Sequence, residues 1–386
     1  MKIIILVRIL WTAGAQKIAI KEAKELTAMG YDVQLVFLRS TESRKNLQSE
    51  LDSVNYKIFA GKTYVPRGIY SAITGIFAPD RKGEGTVDYD LIKKFAGSIK
   101  KAQCDYLICH DPWAGVAGLR LKKKYGIPYS VYYHEKIGNG YGIPVLGYLA
   151  ERTERNVLEN ADRVLGVTDK VATSVGKKFN VNCIADLPGM DRTNFLSFEQ
   201  KENIILASAV WGPTRKPEAY LDIIALLPDF KLYFVGRWLD SNELEKFKHL
   251  IDSRKLTERV ILKDSMAESD LSELYAKAKF SLRFGTNEWG VGTSTIESIS
   301  HLTPVIVSSL GISDLINAYG GGFVLDTLDP NKVAELIEKS NNKASYDKLQ
   351  AELIKITSLY TWKKHSELLI KNSSEEQGND CNYLSF

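Results

Sequence analysis

This 386-residue sequence has few of the features that mark secreted, metal-bound or membrane-spanning chains. Its four cysteines, Cys104, Cys109, Cys183 and Cys381, form no CxxC pair and no zinc-ligand spacing. That argues against a disulfide scaffold or a structural zinc and for reduced thiols in a cytosolic compartment. Five histidines are too scattered along the chain to suggest a metal site. No window holds the ~18 consecutive apolar residues that a bilayer span needs. The opening MKIIILVRILW is too short and too charged for a signal peptide and ends without a cleavage-site pattern, so it reads as a buried strand. Gly-X-Gly-X-X-Gly is missing after that strand, which argues against a dinucleotide oxidoreductase. No internal repeat recurs at a fixed period.

What is present is an ordinary soluble composition, 44% apolar and 25% charged. The length exceeds what one core usually supports, so two domains are expected. Apolar strand runs alternate with amphipathic helices. KIIILV, YDVQLVFL, DYLIC, PYSVYY and DRVLGV are strands. AQKIAIKEAKELTAMG is a helix stopped by Gly30, and further helices lie near 113–125 and 148–160. The rhythm lapses over 180–203, which reads as a linker carrying Pro188 and Gly189. It restarts with ENIILASA, FKLYFVG, RVILK, FSLRF, TPVIVSS and GGFVL. This is βαβα twice over. The expectation is an α/β chain of two doubly wound, Rossmann-like parallel-sheet domains, 1–187 and 188–372, with closing helices at about 344–371 and a flexible tail at 373–386. Charge divides with the domains: residues 1–187 carry +9 and residues 188–386 carry −5. A basic first half suits an anionic partner.

Chemistry concentrates in NEWGVGTSTIESISHLTPVIVSS, 287–309. Gly290-Val291-Gly292-Thr293-Ser294 lies where a strand turns into a helix. Free N–H groups and the positive end of the helix dipole make that an anion site, and glycines let a phosphate approach. Glu297, one turn inside the helix, would repel a phosphate but can accept from the two hydroxyls of a ribose. Glu288, ahead of the turn, suits a sugar. An N-cap at Thr293 or Ser294 with two surface glutamates is the plain alternative. In the first domain, the turn at Ala13-Gly14 follows a strand and opens a helix. His110 and the pair His134-Glu135 end two strands at the same sheet edge.

Taken in order, AGAQKIAIKEAKELTAMGYDVQLV, CDYLICHDPWAGVAGLRLKKKYGIP, ENADRVLGVTD, LPGMDRTNF, RKPEAYLDIIALLPDFKLYFVG, NEWGVGTSTIES, HLTPVIVSSLGISDLI and the closing YTWKKHSELL resemble family-4 retaining glycosyltransferases of the GT-B fold, over roughly residues 1–372. The resemblance implies two Rossmann-like domains facing a cleft, with the last helix packing back toward the first domain. It implies a hexosyltransferase that moves sugar from a nucleoside diphosphate donor to a glycolipid or growing glycan, with no metal or other cofactor. By it, His110 lies beside the transferred sugar and Glu288 over it. Ala13, Gly14, Arg215, Lys216 and the 290–294 turn hold the donor diphosphate, and Glu297 holds the ribose. His134 and Glu135 fall on the acceptor side. A fixed cation such as Lys216 stabilises the charge that a departing diphosphate gains.

Two departures from the family pattern bear on these roles. Eight residues separate Glu288 from Glu297 where the family has seven. The arginine expected five or six residues before Lys216 is replaced by AVW (209–211), which leaves Arg215 or Arg237 to supply the charge. Asp88-Tyr89-Asp90 has the form of a metal-binding DxD but reads as a helix start. Residues 62–83, KTYVPRGIYSAITGIFAPDRKG, interleave aromatics with Arg67, Arg81 and Lys82. They read either as an interfacial patch for a lipid-linked acceptor on an anionic, cytoplasmic membrane face or as a packed loop. No nucleic-acid partner is expected. Two alternatives stay open: a synthase or phosphorylase acting on a soluble sugar or sugar phosphate, and a nucleotide-binding regulator without catalysis.

Overall fold

The computed structural model describes residues 1–10, 14–40, 47–60, 88–134, 144–264, 266–285, 290–309 and 311–370. The chain divides into two compact units, Met1–Leu187 with Trp362–Phe386, and Pro188–Thr361.

The first unit is built on a parallel sheet. Its strands are β1 (Lys2–Leu10), β2 (Asp32–Ser40), β3 (Tyr56–Ile58), β4 (Tyr106–Cys109), β5 (Tyr129–Tyr133), β6 (Arg163–Gly166) and β7 (Cys183–Ala185), in spatial order β3-β2-β1-β4-β5-β6-β7. Its described helices are α1 (Gly14–Ala28), α2 (Gln48–Leu51), α3 (Tyr89–Ser98), α4 (Pro112–Tyr125), α5 (Pro144–Glu159) and α6 (Asp169–Phe179). β1 pairs with β2 on one side and β4 on the other, and Ile3 through Val7 are buried, which explains its unbroken apolar run. α1 buries Ile18, Ala19, Ala23 and Leu26, and the chain leaves it through Gly30 at φ 90°. α4 opens with Pro112 at its first turn, is capped by Asp111 on the Ala114 N–H, and ends at left-handed Gly126.

The second unit repeats the plan. Its strands β8 (Glu202–Ser208), β9 (Lys231–Val235), β10 (Val260–Lys263), β11 (Ala278–Arg283), β12 (Val305–Ser308) and β13 (Gly322–Leu325) run parallel in the order β10-β9-β8-β11-β12-β13. Around them lie α7 (Pro217–Leu226), α8 (Ser241–Ser253), α9 (Glu268–Lys277), α10 (Thr293–Ser300), α11 (Ser313–Tyr319), α12 (Pro330–Ser340) and α13 (Lys343–Leu359). Its core is aromatic: Trp211 stacks on Phe234 at 3.5 Å between centroids, with Tyr220 edge-on to both. In each sheet the winding direction reverses beside the first strand, between β1 and β4 and between β8 and β11. Ligands of such folds bind at the carboxyl ends of those strands.

Three details differ from the sequence reading. β3 and β7 were not expected, and β7 lies inside the stretch read as linker. Both are three-residue, part-buried strands at the sheet edges, too short to show an alternation. The 344–371 helical region breaks after Leu359, and its last piece, α14 (Trp362–Ile370), belongs to the first unit rather than to 188–372. It packs on α1, where Lys21 lies over the Trp362 ring. No described helix is long and apolar enough to cross a membrane.

Candidate active site

In the second unit the turn at 290–294, expected from the sequence to meet an anion, has a defined geometry. Gly292 is the N-cap of α10, at φ 64°, with no side-chain cap on the helix. The N-terminal N–H groups are thus not consumed by a Thr293 or Ser294 hydroxyl. Arg283, at the carboxyl end of β11, donates to Ser294 Oγ at 2.9 Å and to the Ser208 carbonyl at 3.3 Å, bridging the ends of β8 and β11 at the switch point. The reason for glycine at 292 is then local. A Cβ there would lie 2.3 Å from Arg283 Nε, so only glycine leaves room for the guanidinium.

Arg283 has company of its own sign. Burial first, and Arg215 second, push the Arg283 guanidinium down to about 9, and burial also lowers Arg215. Tyr220 lies close to both, accepting the Phe284 N–H at 3.0 Å, and burial pushes its hydroxyl up to about 12. A buried cation at a helix N-terminus, held down by burial and by a like-charged neighbour, is an arrangement that an anion relieves. Lys216 follows directly, exposed, and ends the Pro213–Arg215 turn with φ 46°. A lysine in that left-handed region costs about 1–2 kcal/mol, strain of the kind that gathers at ligand sites. Glu297 is buried on α10, and after burial its carboxylate is what raises the Tyr275 hydroxyl most. The same helix is closed by His301, whose Nδ1 lies 2.6 Å from the Glu297 carbonyl and Nε2 2.7 Å from Ser272 Oγ.

In the first unit the strand ends carry a buried chain of ionisable groups. His110, at the end of β4, is 3% exposed. Its Nε2 lies 2.6 Å from Glu22 Oε2 on α1, and its Nδ1 lies 2.8 Å from His134 Nε2 at the end of β5. The other Glu22 oxygen is 2.9 Å from His365 Nε2 on α14. His365 Nδ1 lies 3.0 Å from Asp186 Oδ2, close enough to pair but not aligned as a hydrogen bond. The Tyr132 hydroxyl donates to the Asp186 carbonyl. Burial would raise Glu22, but His110 and then His365 hold it well below the carboxylate range. Burial would lower His365, but Asp186 and Glu22 overturn that and bring it to about 10. Burial, with His110 second, pushes His134 down to about 3. His110 is aimed by a strained neighbour: Asp111 sits at φ 141°, held by Arg8 Nε at 2.5 Å and by the Ala114 N–H.

The structure thus joins His110 to His134, and it gathers Arg215, Gly292 and Ser294 around Arg283. Gly290 and Val291 lead into the same turn, and Gly14 opens α1. Ala13, Glu135, Glu288 and the basic residues Arg67, Arg81 and Lys82 lie outside the described residues. Arg237 is exposed, and its carbonyl takes the Trp211 N–H. Asp88 precedes α3, but its carboxylate does not cap that helix; it is buried against Arg8 and Arg39, while Asp90 pairs with Lys93. Among the described residues no group of three or more His, Cys, Asp or Glu is arranged to hold a metal ion. Arg283, Glu22 and His365 were missed from sequence. The only signal for Arg283 was a cation closing an apolar strand just before a glycine-rich turn. Glu22 and His365 carry no local signal, because the contacts that mark them join distant parts of the chain.

Comparison with known proteins identifies the family. Residues 12–184 match Glycosyltransferase Family 4, and residues 192–357 match Glycosyl transferases group 1. No curated protein sequence matches the chain. Among solved structures, Anabaena HepE in complex with UDP is similar at TM-score 0.72 and 15% identity, covering 98% of this chain and 99% of that one. Sucrose-phosphate synthase from Thermosynechococcus elongatus is similar at 0.68 and 16%, covering 95% and 97%. A TarM variant from S. aureus is similar at 0.67 and 12%, covering 95% and 98%. With both halves matched in sequence and both sheets matched in fold, the chain belongs to the family-4, group 1 glycosyltransferases of the GT-B fold.

Proposed function

We propose that this glycosyltransferase moves a hexose from a nucleoside diphosphate sugar to a glycan or lipid-linked acceptor, with retention and without a metal. The observation that carries the reading is the cluster of Arg283, Arg215 and Ser294 at the N-terminus of α10. Cations fixed there before the reaction stabilise the charge that a diphosphate gains as its bond to the sugar breaks. In this reading Lys216 adds a third cation, the Gly290–Ser294 turn supplies N–H groups, and Glu297 accepts from the ribose. Glu288 and His134 border the sugar and the acceptor. Arg283 takes the place of the arginine missing before Lys216. A UDP-sugar is the first donor to test, because HepE is described with UDP and with UDP-glucose.

The test is a calorimetric panel of nucleoside diphosphates and their sugars. One of them should bind, and Glu297→Ala should weaken it by roughly 1–3 kcal/mol, the cost of leaving hydroxyl partners unmet. Equal affinity for the variant would remove Glu297 from the ribose. Activity that survives EDTA would support the metal-free reading.

The acceptor side is proposed from charge. Besides the basic 62–83 stretch, Arg120, Lys123 and Arg152 line a groove between α4 and α5, with Leu119, Leu149 and the acid Glu159 along it, and Tyr148 is exposed nearby. Basic side chains near an anionic bilayer contribute about 1 kcal/mol each, a gain that salt screens. The protein should therefore pellet with phosphatidylserine vesicles at low salt and release at high salt. Arg120→Ser with Lys123→Ser and Arg152→Ser should weaken that binding. A variant that binds as well as the parent would make these residues ordinary surface and favour a soluble sugar or sugar phosphate as acceptor.

A further inference from the structure

α10 carries both the Gly292 N-terminus and Glu297, and it is only eight residues long. Two turns of helix do not hold a carboxylate in place unless packing fixes them. Here the fixing lies at the far end. His301, which closes the helix, is 1% exposed. Its Nδ1 lies 2.6 Å from the Glu297 carbonyl, an atom that only accepts, so Nδ1 carries a hydrogen in either charge state of the ring. Its Nε2 lies 2.7 Å from Ser272 Oγ on α9. A hydroxyl can donate or accept, so that bond too holds in both states. The Tyr275 ring, one turn further along α9, stacks on the imidazole at 5.6 Å between centroids. Beyond His301 the chain is strained, with buried Leu302 at φ 51°. That turn is pinned by the Thr303 N–H on the Ser298 carbonyl at 2.9 Å, by Thr303 Oγ1 on the Tyr275 carbonyl at 2.7 Å, and by Gln350 Nε2 on the Leu302 carbonyl at 3.1 Å.

We propose that His301, backed by Ser272 and Tyr275, is a positioning residue that sets the Glu297 carboxylate for the ribose hydroxyls and so makes the site distinguish a ribonucleotide from a 2′-deoxynucleotide. This rests on the ribose reading of Glu297. The His301 side chain grips the peptide group of the very residue whose carboxylate must be placed. A small rotation of α10 about its axis would swing that carboxylate out of line, and hydrogen bonds weaken steeply with angle. Ser272 and Tyr275 oppose the rotation, because they hold the imidazole from a second helix. The Tyr275 hydroxyl in turn lies close to the Glu297 carboxylate and to the Ser208 side chain at the end of β8. The cation assigned to the diphosphate is held separately. Arg283 is fixed by Ser294 Oγ and the Ser208 carbonyl, at the opposite end of α10 from His301. Loss of the His301 bonds should therefore fall on the ribose and spare the diphosphate.

The measurement is the ratio of affinities for a ribonucleoside diphosphate and its 2′-deoxy form, taken by calorimetry with UDP, ADP and GDP. The parent should favour the ribose form of the one it binds by at least about 10-fold, the worth of one hydrogen bond to a charged acceptor. His301→Leu keeps the bulk and loses both bonds. It should bring the ratio below about 3-fold while affinity for the deoxy form stays unchanged. His301→Asn, whose amide N–H can stand in for Nδ1, should restore most of the ratio, and Ser272→Ala should narrow it less than His301→Leu does. A merely structural role would weaken ribose and deoxy forms alike and leave His301→Asn no better than His301→Leu. Either result overturns the proposal. If His301→Leu does not fold, Ser272→Ala decides, and an unchanged ratio there overturns it. A parent that discriminates, beside variants that discriminate equally, overturns the positioning role and leaves Glu297 on the ribose. A parent that binds none of the three, or binds both forms equally, overturns the ribose reading and the proposal with it.

Discussion

Glu22→Ala should cost the protein about 3–5 kcal/mol of stability, because it takes from the buried His365 imidazolium the carboxylate that accepts its hydrogen bond. Glu22 is fully buried and bridges two imidazoles, His110 at 2.6 Å and His365 at 2.9 Å. Removing it leaves the His365 imidazolium with Asp186 alone, in a pairing that is not aligned for a hydrogen bond. It also leaves a cavity the size of a carboxylate stem between α1 and α14. Urea unfolding at pH 7 measures the loss, and a change below about 1 kcal/mol would mean that the cluster does not hold α14 in place. The cluster has a pH signature as well. His365 at about 10 lies above its unfolded value near 6.5, so the folded state binds that proton more tightly. Its contribution is complete below about pH 6.5 and is lost as pH rises toward 10. Glu22 works in the opposite sense: held low, its contribution is present above about pH 4.5 and is lost in acid. The parent should therefore lose stability between pH 7 and 10, and His365→Leu should flatten that slope.

Gly292→Ala should abolish most donor binding while leaving the fold standing. The added Cβ would meet Arg283 Nε at 2.3 Å and Arg283 Cδ at 2.8 Å. One of them must move, and the guanidinium is the freer, so the cation leaves the helix N-terminus and its bond to Ser294. The left-handed backbone at φ 64° adds about 1 kcal/mol against alanine. A UDP affinity reduced about 100-fold, or about 2.7 kcal/mol, is expected by calorimetry, with only a small shift in melting temperature. Ser294→Ala, which removes the Arg283 partner without a clash, should have a smaller effect. Unchanged affinity in Gly292→Ala would show that Arg283 does not meet the diphosphate.

The fold was largely legible because buried parallel strands are written as unbroken apolar runs. KIIILV and YSVYY announce β1 and β5 without reference to any neighbour. YKI and CIA do not, since a three-residue edge strand gets its identity from the strand it joins. The glycine-rich turn before α10 was readable for the same reason, as a local signal at a strand-to-helix junction. The residues that complete each site were not. Glu22 meets His365 across 343 positions and His110 across 88, and nothing near either partner announces the contact. Arg283 is one more basic residue until Gly292 clears space for it. His110 and His134 were both picked out from their places at strand ends, but their hydrogen bond follows only from β4 and β5 being paired neighbours.

The passage of the chain through the second unit and back has a consequence for synthesis. The first unit takes α14 from residues 362–370, after the whole of Pro188–Thr361 has been made. At typical rates of about 5–20 residues per second, the ribosome spends roughly ten to forty seconds between the end of β7 and the emergence of His365. Through that interval Glu22 has no His365 to meet, and the face of α1 that will receive Trp362 stands open to water. A nascent chain halted before Trp362 should expose that face to chaperones and proteases, whatever the state of its second half.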